Sequence, residues 1–537
     1  MPKPLELALL LAHADDGAPV VSKAFSQEDA RGMNDPADER ISGQMRDHGA
    51  DPNDLAKQHY GVLAPDGARG DRLLELVRPL LESRRAEQGG LPIVEARLPG
   101  NVDTNDARTF RDRLLSQTAP RYWLVLGDLH EISLETTFVL AANAFVGRLS
   151  FSNDADYESY VDKVLRWERR PSSSTTGQTV LCSVRDGTPA TAFAHRALMR
   201  PLEDACASER AKGRFSTSGV SLVEARSLSD LDMPFRSSEP TVLFSSSHGV
   251  GPPRGGYDSH QEQLRLSGAM SIGPDKLTGD DVRSGSFLPG GIWFYLACYG
   301  AGTPSRSAFE PWLRDMVDRG AINRDAAAQA LSGLPMPDTA PFIAALPKAA
   351  LANPNGPLAM LGHVDLAWSS AFADPVLGTD QQPMRFLWAL RALVQGRRAG
   401  IAHGELTRYL LDTALTLADM YDEEKRGNAP RNDREREVRK AHYWMRRHDL
   451  GHYVLLGDPA VRLPLTGNRV VHLDDGDVAD VEIMEKAALA VLGRGDSAEI
   501  VAKQMNLAAA DVALWAKEYA AAGRERLGKM RGNGTKH

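Results

Sequence analysis

Short apolar runs of the kind that form buried strands alternate along this chain with longer stretches in which apolar residues recur at helical spacing. The clearest strand-like runs are YWLVLGD, TVLCSV, TVLFSSS, IWFYLAC and YVLLGDP. Helical periodicity is clearest in GDRLLELVRPLLESRRAEQ, DADYESYVDKVLRWERR and QPMRFLWALRALVQGRRAG. Strands and helices that alternate in this way favour a mostly parallel sheet covered on both faces by helices. The pattern therefore predicts the α/β fold class.

Changes in composition divide the chain into segments. Residues 15–55 are rich in Asp, Gly and Pro, so residues 1–55 are expected to form an irregular lead-in. Residues 56–118 carry a strand, a helix and a second strand, which predicts an N-terminal α/β subdomain. Residues 119–466 hold the main α/β pattern. After an acidic linker, residues 480–537 are Ala-rich with helical periodicity, so we expect a small all-α domain there.

The composition is that of an ordinary globular protein, and it limits the partners and the cellular compartment that can be expected. The net charge of −8 argues against a surface built as a whole to hold nucleic acid. Three cysteines are too few for a disulfide framework, and no Cys/His set has zinc-ligand spacing. Cys182 in a strand-like run and Cys206 in a helical pattern are expected to be core residues. The N-terminal apolar run is too short to span a membrane. We therefore expect a cytoplasmic protein without a metal, a cofactor or a membrane partner.

Two of the predicted strands end in reactive residues. TVLFSSS runs into His248 and Gly249, and IWFYLA runs into Cys298. The carboxyl ends of neighbouring parallel strands meet at one edge of a sheet, so the imidazole and the thiol could share a cleft. An imidazole that takes the thiol proton creates a nucleophile, and the amides of Gly249 and Cys298 could bind the oxyanion. Each residue alone is more often structural, so both interpretations stay open.

The combination of strand-His-Gly with strand-Ala-Cys resembles the caspase-like (clan CD) cysteine peptidases, which include caspases, metacaspases, legumains, gingipains and CHAT peptidases. The likeness is greatest to the gingipain and CHAT type, through YWLVLGDLHEIS, FVGRLSFSNDADYESYVDKVLRWE, NPNGPLAMLGHVDLAWSSAF and YVLLGDPAVRLP. It covers approximately residues 57–465. The resemblance implies a caspase/gingipain-like, mostly parallel sheet flanked by helices, with residues 119–466 as the catalytic domain.

The resemblance also implies roles for individual residues. His248 would act as general base and acid, Cys298 as the nucleophile, and the amides of Gly249 and Cys298 as the oxyanion hole. Trp368 would form a wall of the S1 pocket.

The sequence departs from the family at the specificity pocket. Arg-specific gingipains carry an acid that binds the P1 arginine shortly before the GR element, whereas VLAANAFVGR has Asn143 and no carboxylate. Asp365 could supply an acid from the other wall, or it could be a loop or capping residue. His363 lies close to this region without a partner that the sequence reveals, which favours a structural role.

Residues 480–537 resemble the helix-turn-helix of transposase-type proteins and regulators. Ala502 stands at the small position of the second helix, Asn506 at the turn and Trp515 in the third helix. The third helix begins AAADVAL, which offers little to read bases, and its basic residues come late. DNA and a regulatory protein both remain candidate partners of this module, with the protein favoured.

The features together favour a cytoplasmic cysteine endopeptidase that cleaves protein substrates, and such enzymes often act as regulated proteases of defence or cell death. Two alternatives stay open: a DNA-binding regulator with an α/β sensor domain, and a catalytically inactive caspase-like scaffold. The charged stretch from Glu423 to Lys440 is expected to be either a mobile loop open to self-cleavage or a solvated helix.

Overall fold

The structure is a computed structural model of the protein. The described residues are 6–7, 25–26, 51–98, 109–112, 120–170, 174–232, 239–253, 257–318, 331–336, 339–373, 383–427, 433–465, 488–492, 497–505, 512–513 and 515–517.

The strands are β1 Glu6–Leu7, β2 Phe25–Ser26, β3 Tyr60–Pro65, β4 Val94–Leu98, β5 Tyr122–Leu126, β6 Phe145–Leu149, β7 Gly177–Val184, β8 Thr217–Ala225, β9 Thr241–Ser246, β10 His248–Gly249, β11 Met270–Ile272, β12 Asp275–Leu277, β13 Ile292–Leu296, β14 Gly302–Thr303, β15 Phe342–Ile343, β16 Ala359–His363 and β17 Tyr453–Gly457.

The α-helices are α1 Leu55–Gln58, α2 Gly67–Glu87, α3 Leu134–Ala141, α4 Asp154–Arg169, α5 Pro189–Ala194, α6 Arg200–Ala211, α7 His260–Leu266, α8 Gly279–Val282, α9 Glu310–Asp318, α10 Ala345–Ala352, α11 Met384–Val394, α12 Ala399–Lys425, α13 Arg434–Gly451 and α14 Ala498–Met505. A π-helical turn occupies His195–Met199, and 3-10 turns occupy Leu228–Leu231 and Ser369–Ala371.

Ten of these strands form one sheet in the order β4-β3-β5-β6-β17-β16-β13-β9-β7-β8. Every neighbouring pair is parallel except β16 and β17, which run antiparallel. The predicted α/β class with a mostly parallel sheet flanked by helices is therefore confirmed. The two strands of residues 56–118 are β3 and β4, and they continue this sheet beyond β5.

The strands in the middle of the sheet are buried on both faces, which explains their unbroken apolar sequences. Phe294 of β13 packs against Phe386 of α11, with the ring centroids 5.6 Å apart. Its neighbours Trp293 and Tyr295 point to the other face, where their rings stack at 5.1 Å. Burial of a side chain such as Phe294 contributes about 1.5–3 kcal/mol to stability. This packing fixes the positions of the strand ends.

Most of the described part of the charged stretch from Glu423 to Lys440 is helical, as in the solvated-helix alternative. Glu423 and Glu424 lie at the end of α12, and Arg436 and Lys440 lie on α13. Arg436 pairs with Glu423 and Lys440 with Glu424, each at 2.7 Å. Residues 428–432 between the two helices lie outside the described residues. The ion pairs help to align α13, whose far end reaches the candidate site.

The C-terminal region is helical where it is described. Residues 488–492, α14, 512–513 and 515–517 are all helical. Val501, Ala502 and Val512 form a small buried cluster against which Trp515 packs. The predicted turn at Asn506 and the basic residues from 524 onward lie outside the described residues, so the helix-turn-helix stays a prediction. No helix in the described part of the chain is both long and apolar enough to cross a membrane.

Candidate active site

His248 and Cys298 leave the sheet side by side. Strands β9 and β13 are parallel neighbours whose last paired residues are Ser246 and Leu296. Each candidate residue follows its strand's last paired residue by two positions. The Ser247 amide donates to the Leu296 carbonyl at 3.2 Å, so the two chains stay in register beyond the strands. Neighbouring strands lie about 4.8 Å apart, so the two residues lie at the same edge of the sheet.

Gly249 lets the two chains approach each other closely. A Cβ atom on this residue would lie 1.8 Å from the carbonyl oxygen of Cys298, a distance that no side chain could tolerate. Gly249 belongs to the short strand β10, which pairs antiparallel with β11. The Val250 amide donates to the Ala269 carbonyl at 2.8 Å. Successive N–H groups along a strand of an antiparallel pair point alternately toward and away from the partner strand. The Gly249 N–H therefore points away from β11.

The imidazole of His248 is held by a hydroxyl at the end of β7. Nε2 lies 2.9 Å from Oγ1 of Thr188 and 3.8 Å from Oδ2 of Asp186. Thr188 Oγ1 also lies 2.8 Å from the Asp186 carboxylate. Because an ionised carboxylate is the stronger acceptor, we assign the hydroxyl proton to that bond, which leaves Oγ1 to accept from Nε2–H. In this tautomer Nδ1 of His248 is the basic nitrogen.

Asp186 is part of a compact hydrogen-bonded turn that begins α5. Its carboxylate accepts from the Thr188 amide at 3.0 Å and from the Thr191 hydroxyl at 2.6 Å. Burial alone would raise the pKa of Asp186, but these hydrogen bonds hold the pKa below its ordinary value. The side chain is only 6% exposed. His248 therefore faces an ionised, well-fixed carboxylate through Thr188.

The thiol of Cys298 is in contact with the backbone of Ala367. The Ala367 amide lies 3.3 Å from Sγ, and Sγ lies 3.7 Å from the Ala367 carbonyl oxygen. Burial is the main cause that raises the pKa of Cys298 to about 11, against a smaller lowering by the Ala367 amide. Burial raises the pKa of Cys182 and Cys206 further, to about 12 each. Cys298 is protonated at neutral pH in this arrangement, and it is the partly exposed cysteine of the three.

The turn after Cys298 is fixed by the strand extension beyond β16. The Tyr299 amide donates to the Asp365 carbonyl at 2.8 Å, and the Ala301 amide donates to the His363 carbonyl at 2.9 Å. Tyr299 has φ +57°, a left-handed conformation that costs a non-glycine residue about 1 kcal/mol or more. Strained backbone persists only where its surroundings hold it. These two hydrogen bonds supply that hold next to the candidate nucleophile.

Asp365 is fully buried, and its carboxylate is engaged by the backbone. It accepts from the amide of Ala308 at 2.8 Å and from that of Leu366 at 2.7 Å. Both carboxylate oxygens of Asp365 therefore hold the backbone at Ala308 and Leu366 in place. Asp365 also has φ +135°, a second strained residue in this region.

Trp368 follows the residue that touches Cys298, and it lies in an aromatic group. Its ring centroid is 5.7 Å from that of Phe309 and 5.7 Å from that of Trp312. Its indole Nε1 is buried without a hydrogen-bond partner among the described residues. Trp368 therefore belongs to an aromatic cluster one residue beyond the segment that touches Cys298.

Asn143 is exposed and lies between α3 and β6. Strand β17 pairs antiparallel with β16 and parallel with β6, so β6 begins at the sheet edge where β16 ends. Asn143 therefore shares an edge with Cys298, although β6 is the third strand away from β13 and the spacing is roughly 14 Å. Asn143 lies near the site region without touching the thiol.

The structure also identifies residues that the sequence analysis did not select. Asp186 and Thr188 follow a buried strand in VRDGTPA, so the strand-end argument used for His248 could have found them. Asp449 belongs to α13 and carries no local signal of a role at the site. In the described part of the chain, no group of three or more His, Cys, Asp or Glu side chains is arranged to hold a metal ion.

Comparison with known proteins finds likeness at the level of structure only. No family model and no curated protein matches the sequence. The Arg-specific cysteine proteinase gingipain R is similar at 12% identity and a TM-score of 0.41, over 76% of this chain and 78% of that chain. A structure of a protease matches at 13% identity and the same TM-score, over 77% and 79%. A complex of the Porphyromonas gingivalis RgpB pro- and mature domains matches at 12% identity and 0.41, over 75% and 79%.

Proposed function

We propose that this chain is a cysteine endopeptidase with Cys298 as the nucleophile and His248 as its general base and acid. The observation that supports it most directly is the approach of the two residues. They follow neighbouring parallel strands at the same register, and the main chains on which they lie are close enough to require glycine at position 249. A thiol and an imidazole brought together at the carboxyl ends of parallel strands are suited to acyl transfer.

In the first half of the reaction, Nδ1 of His248 takes the proton from Sγ of Cys298, and the sulfur attacks the substrate carbonyl. The amides of Gly249 and Cys298 donate to the oxyanion of the tetrahedral intermediate. The C–N bond then breaks, and the imidazolium gives its proton to the leaving amine. The acyl group remains on Sγ as a thioester.

In the second half, His248 removes a proton from water, which attacks the thioester carbonyl. The C–S bond breaks, the acid product leaves, and the proton returns to sulfur. Asp186, acting through Thr188, holds the imidazole in the tautomer that both halves require.

The thiol pKa of about 11 means that only about one thiol in 10⁴ is ionised at pH 7. A reaction through the free thiolate would be slow, so the proton passes to His248 as the sulfur attacks. Productive binding also requires that the substrate carbonyl reach Sγ, which the Ala367 backbone touches. We therefore propose that substrate displaces this contact.

The proposal extends to the type of peptidase, the cellular compartment in which it works and the partners that it binds. The enzyme is of the caspase-like kind, cleaves protein substrates, and works in a reducing compartment such as the cytoplasm, in keeping with its three free cysteines. Trp368 forms a wall of the S1 pocket. Asp365 gives both carboxylate oxygens to backbone amides, so P1 selection depends on the aromatic surface rather than on this acid. The C-terminal helices dock a regulatory protein.

The test is digestion of a diverse peptide library, with new termini identified by mass spectrometry. Wild type should cut at a defined P1 set, and Cys298→Ala and His248→Ala should not. The matched control is His130→Ala, which removes an exposed histidine and should cut as wild type does. Equal cutting by wild type and Cys298→Ala would contradict the proposal.

A further inference from the structure

Asp449, near the end of α13, caps the short turn that follows Trp368. Its carboxylate is fully buried and accepts from the Trp368 amide at 2.9 Å. It also accepts from the Ser370 hydroxyl at 2.8 Å and from the Ala371 amide at 2.9 Å. Asp449, more than seventy residues downstream, therefore anchors the segment 366–371. This is the segment whose Ala367 touches the thiol of Cys298.

The partner that balances the Asp449 charge is His363, which is also fully buried. Its Nε2 lies 3.3 Å from Oδ1 of Asp449 and 3.0 Å from the Asp449 carbonyl, and its Nδ1 lies 3.0 Å from the Asp365 carbonyl. Both ring nitrogens face acceptors only, so both must carry protons. The ring is an imidazolium paired with a carboxylate.

The other titratable groups around His363 do not compete for this role. The rings of His452 and Tyr453 lie 5.8 and 5.0 Å from it. Burial holds the pKa of His452 below its ordinary value and that of Tyr453 above it, so both are neutral. Burial likewise lowers the pKa of His448, beside His452, to about 4. Burial opposes the charge on His363 too, but its bond to Asp449 and the charge of that residue raise its pKa.

The ion pair is connected to both sides of Cys298. The His363 and Asp365 carbonyls accept the amides of Ala301 and Tyr299, which fixes the turn after the cysteine. The same pair fixes segment 366–371, which supplies the contact to the sulfur. Apolar residues of similar size would fill a buried space at least as stably as an ion pair. The His363–Asp449 pair, however, forms hydrogen bonds with the irregular main chain near the Cys298 thiol, which an apolar pair could not do.

We infer that Asp449, through its buried pair with His363, is a positioning residue for Cys298: it sets both the turn that carries the thiol and the segment that covers it. The inference rests on the proposed function for its effect on catalysis. Its structural part, the control of the Cys298 environment, can be measured without any substrate.

The test compares Asp449→Asn and Ser370→Ala with wild type in the full-length protein. Asp449→Asn should lower kcat/KM about 100-fold, because a misplacement of about 1 Å at the reacting atoms has that effect. It should also speed alkylation of Cys298 by iodoacetamide at least about tenfold, since the freed segment exposes the sulfur and removes the burial that raises its pKa. Cys182 and Cys206 should be labelled no faster. Ser370→Ala removes one hydrogen bond to the carboxylate and should lower kcat/KM about tenfold.

The matched control is Asp458→Asn. Asp458 is another fully buried carboxylate in an ion pair, with Arg84 at 2.7 Å, and it follows β17 rather than contacting segment 366–371. This variant should lose thermal stability yet keep kcat/KM and Cys298 labelling within about twofold of wild type.

Three outcomes would overturn the inference. One is that both Asp449→Asn and Ser370→Ala leave kcat/KM and Cys298 labelling within twofold of wild type. Another is that all three cysteines become reactive together, which would mean general unfolding. The third is that Asp458→Asn has the same effects as Asp449→Asn. If wild type and Cys298→Ala hydrolyse peptides equally, the proposed function fails, and selective labelling of Cys298 alone decides the positioning role.

Discussion

Gly249→Ala is the smallest change that tests whether the approach of the two chains matters. Gly249 has no left-handed φ, so alanine can adopt its backbone conformation. The added Cβ would lie 1.8 Å from the Cys298 carbonyl oxygen, 2.8 Å from its carbonyl carbon and 3.1 Å from its amide nitrogen. All three neighbours are main-chain atoms, which cannot rotate away as the end of a side chain can. The substitution therefore acts on the spacing of the two chains alone.

The expected loss of activity in Gly249→Ala can be calculated from these distances. Cβ atoms stay at least 3.0 Å from such atoms, so the chains must separate by about 1.2 Å at this point. A misplacement of about 1 Å between reacting groups can cost about 100-fold in rate. Overpacking of this kind typically costs 1–3 kcal/mol of stability, which a domain of this size can bear. We expect a folded protein with kcat/KM at least about 100-fold lower than wild type.

The assay is hydrolysis of the best library peptide, with thermal unfolding measured on the same samples. Gly251→Ala is the matched control, because a Cβ there would meet nothing within 4 Å and its φ is not left-handed. That variant should match wild type in both measurements. A Gly249→Ala enzyme with kcat/KM within twofold of wild type would refute the idea that catalysis depends on this approach.

Four further predictions concern the His248 partner, the Cys298 thiol and the C-terminal region. Thr188→Val keeps the shape but removes the hydroxyl that bonds the His248 imidazole, so kcat should fall up to about tenfold with little change in KM, as steady-state kinetics will show. The rate of Cys298 alkylation should rise about tenfold per pH unit up to about pH 11. This pKa exceeds the ordinary thiol value of about 8.5, so the protonated thiol stabilises the fold below pH 8.5 and this contribution is lost as the pH rises to 11. The melting temperature of wild type should therefore fall over that range relative to that of Cys298→Ala. Truncation after Asp480 should leave hydrolysis of small peptides intact, because the described C-terminal helices have a buried cluster of their own.

The strands could be predicted because their signals are local, and the candidate pair could be proposed from the residues that follow two of them. The five apolar residues of β13 are buried on both faces of the sheet, and an unbroken apolar run is the sequence pattern that predicts such a strand. His248 and Cys298 could be matched because parallel neighbours place residues that follow them at one edge. Asp186 and Thr188 follow β7, the next strand beyond β9, and so lie at the same edge.

The remainder depends on long-range packing, for which a single sequence carries no signal. Asp449 acts at the site because α13 returns its far end to segment 366–371, and nothing in HYWMRRHDL indicates that contact. The role of Asp365 depends on a strained backbone that turns its carboxylate toward the Ala308 amide. The pKa of Cys298 is raised by burial, and that burial depends on how the distant segment around Ala367 packs against the sulfur.

The two halves of the candidate dyad are supported by separate networks. His248 is held from the β7 side by Thr188 and Asp186, whereas Cys298 is held from the β16 side by main-chain bonds that lead back to Asp449. The networks meet where the Gly249 main chain lies against that of Cys298. Loss of either network should therefore misplace one partner while the other stays in position. Variants on the two sides should combine non-additively once the alignment is lost, because a second displacement removes little from a pair that has already separated.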